Sequence, residues 1–211
     1  MPKPKIQSSN MALQTIIICR HGKPALSKKV RLTWQGYEGW WKRYDEAGLD
    51  KKRNKKIPKR VKKLGGEASL IISSTLPRAI ESAQLASGRD PDHILQELVE
   101  AALPPPNLGR YMTNPVVWGT ISRISWWLGF HRDQESRPQA EARAEIAAKM
   151  LTNMALDDKI VFVACHGWFG RMLKNPMRRN GWSMVASYGD RHWCHRRYER
   201  IVETKKVDKS V

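Results

Sequence analysis

Two stretches of the chain have the same form, a run of β-branched and apolar residues that ends in a histidine and a glycine. The first runs from Thr15 to Gly22 and the second from Ile160 to Gly167. A continuous apolar run bounded by a turn signal predicts a strand buried on both faces, as in a parallel sheet covered by helices. His21 and His166 then follow two strands, at the edge where α/β sheets bind ligands. We therefore expect the two histidines to meet in one small site.

A third apolar run, Leu70-Ile71-Ile72, leads through Ser73-Ser74-Thr75-Leu76-Pro77 into a helical stretch. If this run is a neighbouring parallel strand, Arg78 lies on the first turn of the following helix, at the same edge as Arg20. Guanidinium groups match phosphate oxygens, and helix N-termini add backbone donors. Two arginines and two histidines at one edge predict an anion site.

The alternation of strands and helices predicts an α/β fold, a three-layer α/β/α sandwich with a mostly parallel central sheet in a single domain. In a chain of 211 residues we expect a disordered lead-in over residues 1–13, one domain over 14–203 and a basic tail over 204–211.

The N-terminus lacks the apolar segment of a secretory signal, and the chain has an odd number of cysteines, Cys19, Cys165 and Cys194. These features favour reduced thiols and a cytoplasmic location.

The motifs Arg20-His21-Gly22, Ser73-Ser74-x-Leu76-x-Arg78-Ala79 and His166-Gly167 occur in an order and spacing that resemble the histidine phosphatase superfamily, the phosphoglycerate-mutase-like group. Leu32-Thr33-x-x-Gly36 and Glu135-Ser136 extend the resemblance over roughly residues 14–200. The resemblance implies a phosphatase without metal or cofactor that acts on a small phosphorylated substrate. A mutase of the same fold is the less favoured alternative, because the sequence shows none of the elements with which mutases retain a bisphosphate.

In that chemistry His21 attacks phosphorus and forms a phosphohistidine, which water then hydrolyses. Arg20, Arg78 and His166 surround the phosphoryl group and balance its charge. The resemblance also implies an acidic proton donor. Glu100 fits its position best, and Glu97 is the runner-up.

Several residues beside these motifs are expected to shape the substrate pocket. Gly22 and Gly167 leave room at the two strand ends, Lys23 adds charge, and Trp168 adds bulk. His192 either lines the pocket from the last strand or packs against it. His93, His131 and His195 are interpreted as structural.

The net charge is +18, and nine lysines or arginines lie between Lys51 and Lys63 without an acidic residue. A run of like charge is typical of a solvated, mobile segment. It could also steer an anionic substrate, or contact a polyanion or an acidic membrane surface. The alternative to catalysis is therefore a non-catalytic anion- or nucleic-acid-binding protein.

The apolar segment Val116–Phe130 contains three tryptophans, Trp118, Trp126 and Trp127. Val117, Ile121, Ile124 and Leu128 recur at helical spacing and predict the buried face of a core or cap helix. The segment is shorter than the roughly 20 apolar residues of a transmembrane helix. A less favoured alternative exposes the tryptophans to a membrane surface or a hydrophobic substrate tail.

Three further elements are predicted in the second half of the chain. They are an amphipathic helix over Arg137–Met154, a helix over Phe169–Asn180 whose N-terminus faces the site, and an edge strand over Arg191–Val202. The sequence contains no internal repeat and leaves the oligomeric state open.

Overall fold

The computed structural model describes residues 10–155 and 160–204. Its strands are β1 (Asn10–Arg20), β2 (Leu70–Ser74), β3 (His93–Leu95), β4 (Ile160–Cys165), β5 (Ser183–Ser187) and β6 (His195–Thr204). Its helices are α1 (Trp34–Glu46), α2 (Lys59–Gly66), α3 (Pro77–Ser87), α4 (Pro115–Trp127), α5 (Arg137–Met154), α6 (Gly167–Met172) and α7 (Lys174–Arg179). A short 3₁₀ helix spans Gln96–Leu98.

The six strands form one sheet in the order β3-β2-β4-β1-β6-β5. β3, β2, β4 and β1 are mutually parallel, whereas β6 pairs antiparallel with both β1 and β5. In the central pair Arg20 lies opposite Cys165, so the two strands end side by side. The predicted α/β fold with a mostly parallel central sheet is therefore confirmed.

Helices cover both faces of this sheet. Ile16 and Ile18 of β1 pack on one face with α5, α6 and α7, while Ile17 and Cys19 pack on the other face with α2 and α3. Each of these four side chains is at most 2% exposed. Burial on both faces explains the unbroken apolar runs of the central strands.

α1 and α4 pack together outside the sheet layers. Tyr37, Trp40 and Tyr44 of α1 meet Trp118 of α4 in an aromatic cluster. The indole N–H of Trp118 donates to the carbonyl of Leu32 at 2.7 Å. This pair of helices stands at the sheet edge where β1 and β4 end.

The prediction for the buried face of α4 was wrong. Val117, Ile124 and Leu128 are exposed, and only Ile121 of the four predicted residues packs, partly buried, against the aromatic cluster. The helix buries Trp118 and Trp126 instead. Each of those indoles donates a hydrogen bond to a backbone carbonyl, of Leu32 and Glu135 respectively. The helix is apolar on most of its surface, so its side-chain period could not select the face that packs.

Two further predictions need correction. β6 is a central strand rather than an edge strand, because the exposed strand β5 pairs with its outer side.

The helix expected over Phe169–Asn180 is two helices, α6 and α7, which meet at Leu173. Pro176 has no N–H to continue the hydrogen bonding of α6. The helix over Arg137–Met154 has the predicted bounds.

The structure also bears on the predicted terminal segments. Residues 10–13, which the sequence assigned to a disordered lead-in, belong to β1 and pair with β6. The hydrogen bonds that order this end come from pairing with β6, which is distant along the chain, so the local sequence does not predict them. The rest of the expected lead-in and residues 205–211 of the expected tail lie outside the described residues.

The basic segment, Lys51–Lys63, consists of turns followed by the first residues of α2, and its lysines and arginines are exposed. Asn54 within it is buried at 3% exposure. Within residues 10–155 and 160–204, the helices are too short or too polar to cross a bilayer.

Candidate active site

His21 lies directly after β1, with its side chain 2% exposed. Its Nδ1 is 2.7 Å from the carbonyl oxygen of Gly22. Because a carbonyl only accepts, this contact assigns the ring proton to Nδ1. Nε2 therefore carries the lone pair, and the side chain lines a cavity at the sheet edge.

His166 lies directly after β4, and its ring centroid is 5.1 Å from that of His21. Its Nε2 is 2.8 Å from the hydroxyl oxygen of Ser74, at the end of β2. Its Nδ1 is buried and has no partner among the described residues. The two histidines thus meet as the sequence predicted, and β2 supplies the residue that orients the second.

Burial is the main cause that lowers the pKa of His21 well below its usual range, and the charges of His166, Arg78 and Arg20 lower it further. Burial also lowers the pKa of His166, again with Arg78 and Arg20 as the next contributors. Both imidazoles are therefore neutral at neutral pH. A neutral ring with a free Nε2 is the form in which histidine can attack an electrophile.

Arg20 packs against the start of α6. A Cβ on Gly167 would lie 3.0 Å from the Arg20 Cζ and Nε atoms, so the glycine makes this close approach possible. Arg20 Nη1 donates to the carbonyl of Asp190, whereas its buried Nε has no partner among the described residues. The guanidinium is thus held beside His21 with a donor still available.

Arg78 lies on the first turn of α3 and is 1% exposed. It donates from Nη1 to the carbonyl of Tyr44 at 2.7 Å and from Nη2 to Asp45 Oδ1 at 2.9 Å. Its Nε is buried and unpaired within the described residues. These contacts fix the guanidinium at the wall of the same cavity.

Glu100 also lines the cavity, whereas Glu97 does not. The carboxylate of Glu100 accepts the backbone N–H of Phe169 at 2.8 Å and that of Trp168 at 3.2 Å. It therefore caps the N-terminus of α6 and is held beside the histidine sites. Glu97 contributes its backbone carbonyl to Arg143.

Gly22 is needed because the loop after His21 packs closely on neighbouring side chains. A Cβ at this position would lie 2.5 Å from Asn54 Oδ1 and 2.5 Å from the Trp193 ring. The Gly22 N–H donates to the Ser82 hydroxyl at 2.8 Å, and that hydroxyl donates to the Arg78 carbonyl at 2.6 Å. Ser82 thus connects the His21 loop to the helix that carries Arg78.

The cavity has a volume of about 210 Å³. Its walls carry more positive than negative side chains: the cations are Arg20, Lys28, Arg78, Arg123 and Arg171, and the carboxylates are Glu100 and Asp190. Burial and the nearby Arg20 and Arg78 lower the pKa of Lys28. The cavity is therefore suited to an anion with several charged oxygens.

Sequence reasoning missed Lys28, Arg123 and Arg171. The Arg123 guanidinium lies 4.4 Å from the centre of the Trp168 ring, and its Nε is buried without a partner in the described parts of the chain. Arg171 is paired with Asp190 at 2.5 Å. The sequence offered one indication, which is that Arg123 lies within the apolar segment that forms α4. This indication does not show whether the arginine side chain faces the cavity or solvent.

The structure brings Arg20, His21, Arg78, Glu100, Gly167 and Trp168 to this one cavity. Lys23 and His192 line a neighbouring cavity of about 450 Å³ instead. The His192 ring is nevertheless 5.7 Å from that of His21, and burial lowers the pKa of His192 to about 4. Of these two residues, only His192 is therefore shown close to His21, and neither lines the candidate active-site cavity.

The remaining histidines and the cysteines stand apart from the cavity. His93 is exposed on β3, and His131 and His195 do not line the cavity. Cys19 and Cys165 are buried, and burial raises the pKa of both thiols. Such thiols are poor nucleophiles, which agrees with a packing role.

Comparisons with known proteins add evidence on the fold. The chain matches no protein-family model and no curated protein. Among solved structures, it is similar to a phosphoglycerate mutase from Bacillus anthracis at 15% identity and a TM-score of 0.55, with 93% of each chain covered. The chain has the phosphoglycerate-mutase-like fold.

Two other solved structures share this phosphoglycerate-mutase-like fold. Mycobacterial hydrolase 1 has 16% identity and a TM-score of 0.57, with 92% of this chain and 97% of that chain covered. The ecdysone phosphate phosphatase from Bombix mori, in complex with tungstate, has 13% identity and a TM-score of 0.50, with 94% and 96% covered. At such identities the likeness establishes the fold, and the chemistry has to be argued from the site.

Proposed function

We propose that the chain is a metal-independent phosphomonoester phosphatase that acts through a phosphohistidine on His21. The observation that carries the proposal is the pair of buried neutral imidazoles, 5.1 Å apart, of which that of His21 lines a cavity rich in arginine. Solved structures of the same fold include a mutase and a phosphatase, which are both named for phosphorylated compounds.

In the first step, Nε2 of His21 attacks phosphorus and the bond from phosphorus to the ester oxygen breaks. Arg20 and Arg78 both line the cavity, and each has a buried Nε without a partner among the described residues, which supports a role in binding phosphoryl oxygens. Arg20 and Arg78 balance the negative charge spread over the transferring group, which is the role that metal ions have in other phosphatases. The ring of His166 lies 5.1 Å from that of His21, and its Nδ1 has no partner among the described residues.

The leaving oxygen takes a proton from Glu100, and the alcohol departs. In the second step, water attacks the phosphohistidine, its proton passes to Glu100, and the bond from phosphorus to Nε2 breaks, which releases phosphate. Glu100 is preferred to Glu97 because its carboxylate lines the cavity, where α6 holds it through the backbone N–H groups of Trp168 and Phe169. The cycle returns both His21 and Glu100 to their starting forms.

The decisive experiment follows hydrolysis of para-nitrophenyl phosphate by the purified chain, with and without EDTA. We expect turnover that survives the chelator, and an acid-labile phosphoryl label on the wild-type protein. His21→Ala should eliminate both turnover and label, whereas the control His93→Ala, at an exposed histidine on β3, should leave both unchanged. An active and labelled His21→Ala variant would refute the proposal.

A second experiment separates the two glutamates. Para-nitrophenolate leaves without needing a proton, whereas an alkoxide needs one. Glu100→Gln should therefore slow hydrolysis of alkyl phosphates by about 10²–10⁴-fold and of the aryl phosphate much less. Glu97→Gln should change neither rate. Equal losses on both substrates would remove Glu100 from the role of proton donor.

The alternative function, polyanion binding without catalysis, draws on the exposed lysines and arginines of the basic segment. It predicts salt-sensitive binding to nucleic acid that disappears when Lys51–Lys63 is neutralised. It also predicts no turnover of any phosphoester. Phosphatase activity in the wild-type chain would reject this alternative.

A further inference from the structure

α4 presents an apolar face to solvent. The exposed fractions of Ile124, Trp127 and Leu128 are 57%, 52% and 83%. Val116 and Val117, near the start of the helix, are exposed as well. Residues spaced in this way lie on one side of a helix, so they form a continuous stripe rather than isolated contacts.

The stripe continues onto neighbouring loops at the N-terminal end of α4. Val30 and Met112 are exposed there, and the Met112 carbonyl accepts a hydrogen bond from Arg31. We define the α4 face by its apolar members, which are Val30, Met112, Val116, Val117, Ile124, Trp127 and Leu128. Exposed apolar surface of this extent is typical of an interaction site.

Positive charge lies beside the N-terminal end of the α4 face. The two segments that build the face, residues 22–34 and 101–132, contain seven lysines or arginines and no aspartate or glutamate. Of these cations, Lys28 and Arg123 also line the candidate active-site cavity, and Arg132 is paired with Glu38. Lys29 and Arg31 line a surface depression together with Val116 and Val117. At the other end, the Arg137 guanidinium lies 3.8 Å from the centre of the Trp127 ring, and it is paired with Glu141.

The combination of an exposed apolar stripe and nearby positive charge distinguishes between possible partners. In a symmetric dimer built on this face, the same lysines and arginines of the two copies would face each other, and their repulsion disfavours such a dimer. Single-stranded nucleic acid binds by stacking its bases on aromatic side chains, whereas most of this face is aliphatic. An acidic lipid surface satisfies both features, because it attracts the cations and accepts tryptophan and leucine at the level of the headgroups.

We propose that the α4 face binds the surface of a membrane that contains acidic phospholipids. The chain would lie on the bilayer with the stripe at the headgroup boundary, and Lys29 and Arg31 would contact lipid phosphates. Val116 also lines the mouth of the candidate active site. Docking would therefore bring the cavity entrance close to the lipid surface. The proposal does not depend on the phosphatase reaction.

The test is co-sedimentation of the full chain with vesicles of phosphatidylcholine alone and of phosphatidylcholine mixed with phosphatidylserine. We expect binding to the acidic vesicles only, and weaker binding as salt rises. Trp127→Ser combined with Leu128→Ser should lower the partition coefficient by about tenfold or more, because it removes the apolar contacts. Ile146→Ser, at a residue of α5 that is 53% exposed, is the matched control and should bind like the wild type.

Unchanged thermal unfolding of the double variant would establish that it is folded. Three outcomes would overturn the proposal. The first is wild-type binding that is absent or equal on both vesicle types. The second is a double variant that binds as the wild type does while neutralisation of Lys51–Lys63 eliminates binding. The third is a wild-type dimer that the double variant breaks, without vesicle binding.

Discussion

Asn54 offers a sensitive test of how the structure supports the His21 loop. It lies within the basic segment, yet it is 3% exposed. Its Oδ1 accepts from the Lys23 N–H at 3.0 Å and from the Trp193 indole N–H at 2.9 Å. Its Nδ2 donates to the carbonyls of Lys23 and Asp50, each at 2.8 Å. The side chain therefore joins three separate parts of the chain.

Asn54→Ala removes all four of these hydrogen bonds. At about 1 kcal/mol for each bond the loss would approach about 4 kcal/mol. The Asp50 and Lys23 carbonyls keep bonds from the backbone N–H groups of Asn54 and Asp50, so we expect a decrease of about 2 kcal/mol in the free energy of unfolding. In a chain of this size that corresponds to a midpoint of thermal unfolding lower by about 4–8 °C.

The measurement is urea unfolding followed by the fluorescence of the nine tryptophans, supported by thermal unfolding. Lys55→Ala, at the neighbouring exposed residue, is the control and should stay within about 0.5 kcal/mol of the wild type. Asn54→Asp keeps the two accepted bonds and loses both donated ones, so it should also be destabilised. A loss below about 1 kcal/mol for Asn54→Ala would refute the reasoning, because water would then replace the side chain.

Two further predictions concern protonation and the cavity wall. The pKa values of His21, His166 and His192 in the folded protein lie below the ordinary value of 6.5. Below pH 6.5 the unfolded chain therefore binds more protons than the folded one. The free energy of unfolding should fall as the pH drops from 6.5 towards 4, the pKa of His192. Thermal unfolding across that range checks this, and a midpoint that rises on acidification would contradict it. Arg123→Met should raise KM for para-nitrophenyl phosphate by about tenfold or more with little change in kcat, because a charged hydrogen bond to the substrate is lost. The control Arg132→Met, at a residue outside the cavity, should leave KM unchanged. A fall in kcat alone for Arg123→Met would contradict a role in substrate binding.

Local sequence was sufficient for the elements whose burial depends on their own residues. The runs that form β1 and β4 are apolar at every position because both faces of the sheet are covered. Strand direction then carries His21 and His166 to one edge, and the order of the motifs adds Arg78. The helix over Arg137–Met154 has a capping box at Ser136, which marks its start in the sequence.

Other features required partners that are distant along the chain. Lys28 and Arg123 line the cavity only because α1 and α4 pack over the sheet edge, and no local pattern points either side chain there. β6 is an interior strand because β5, which precedes it in the chain, pairs with the side of β6 away from β1. The sequence identified the strands, while pairing decided their neighbours.

The sequence by itself therefore determined the central parallel strands and the edge of the sheet where His21, His166 and Arg78 lie, because these follow from periodicity and chain direction. Only the tertiary structure decided which face of α4 is buried, which cations reach the cavity and how Asn54 supports the loop. The buried face of α4 depends on competition between similar apolar surfaces for one packing site, whereas the cavity cations and Asn54 depend on partners that are distant along the chain. The indoles of Trp118 and Trp126 are packed where they donate to backbone carbonyls, and Leu128 is left in solvent.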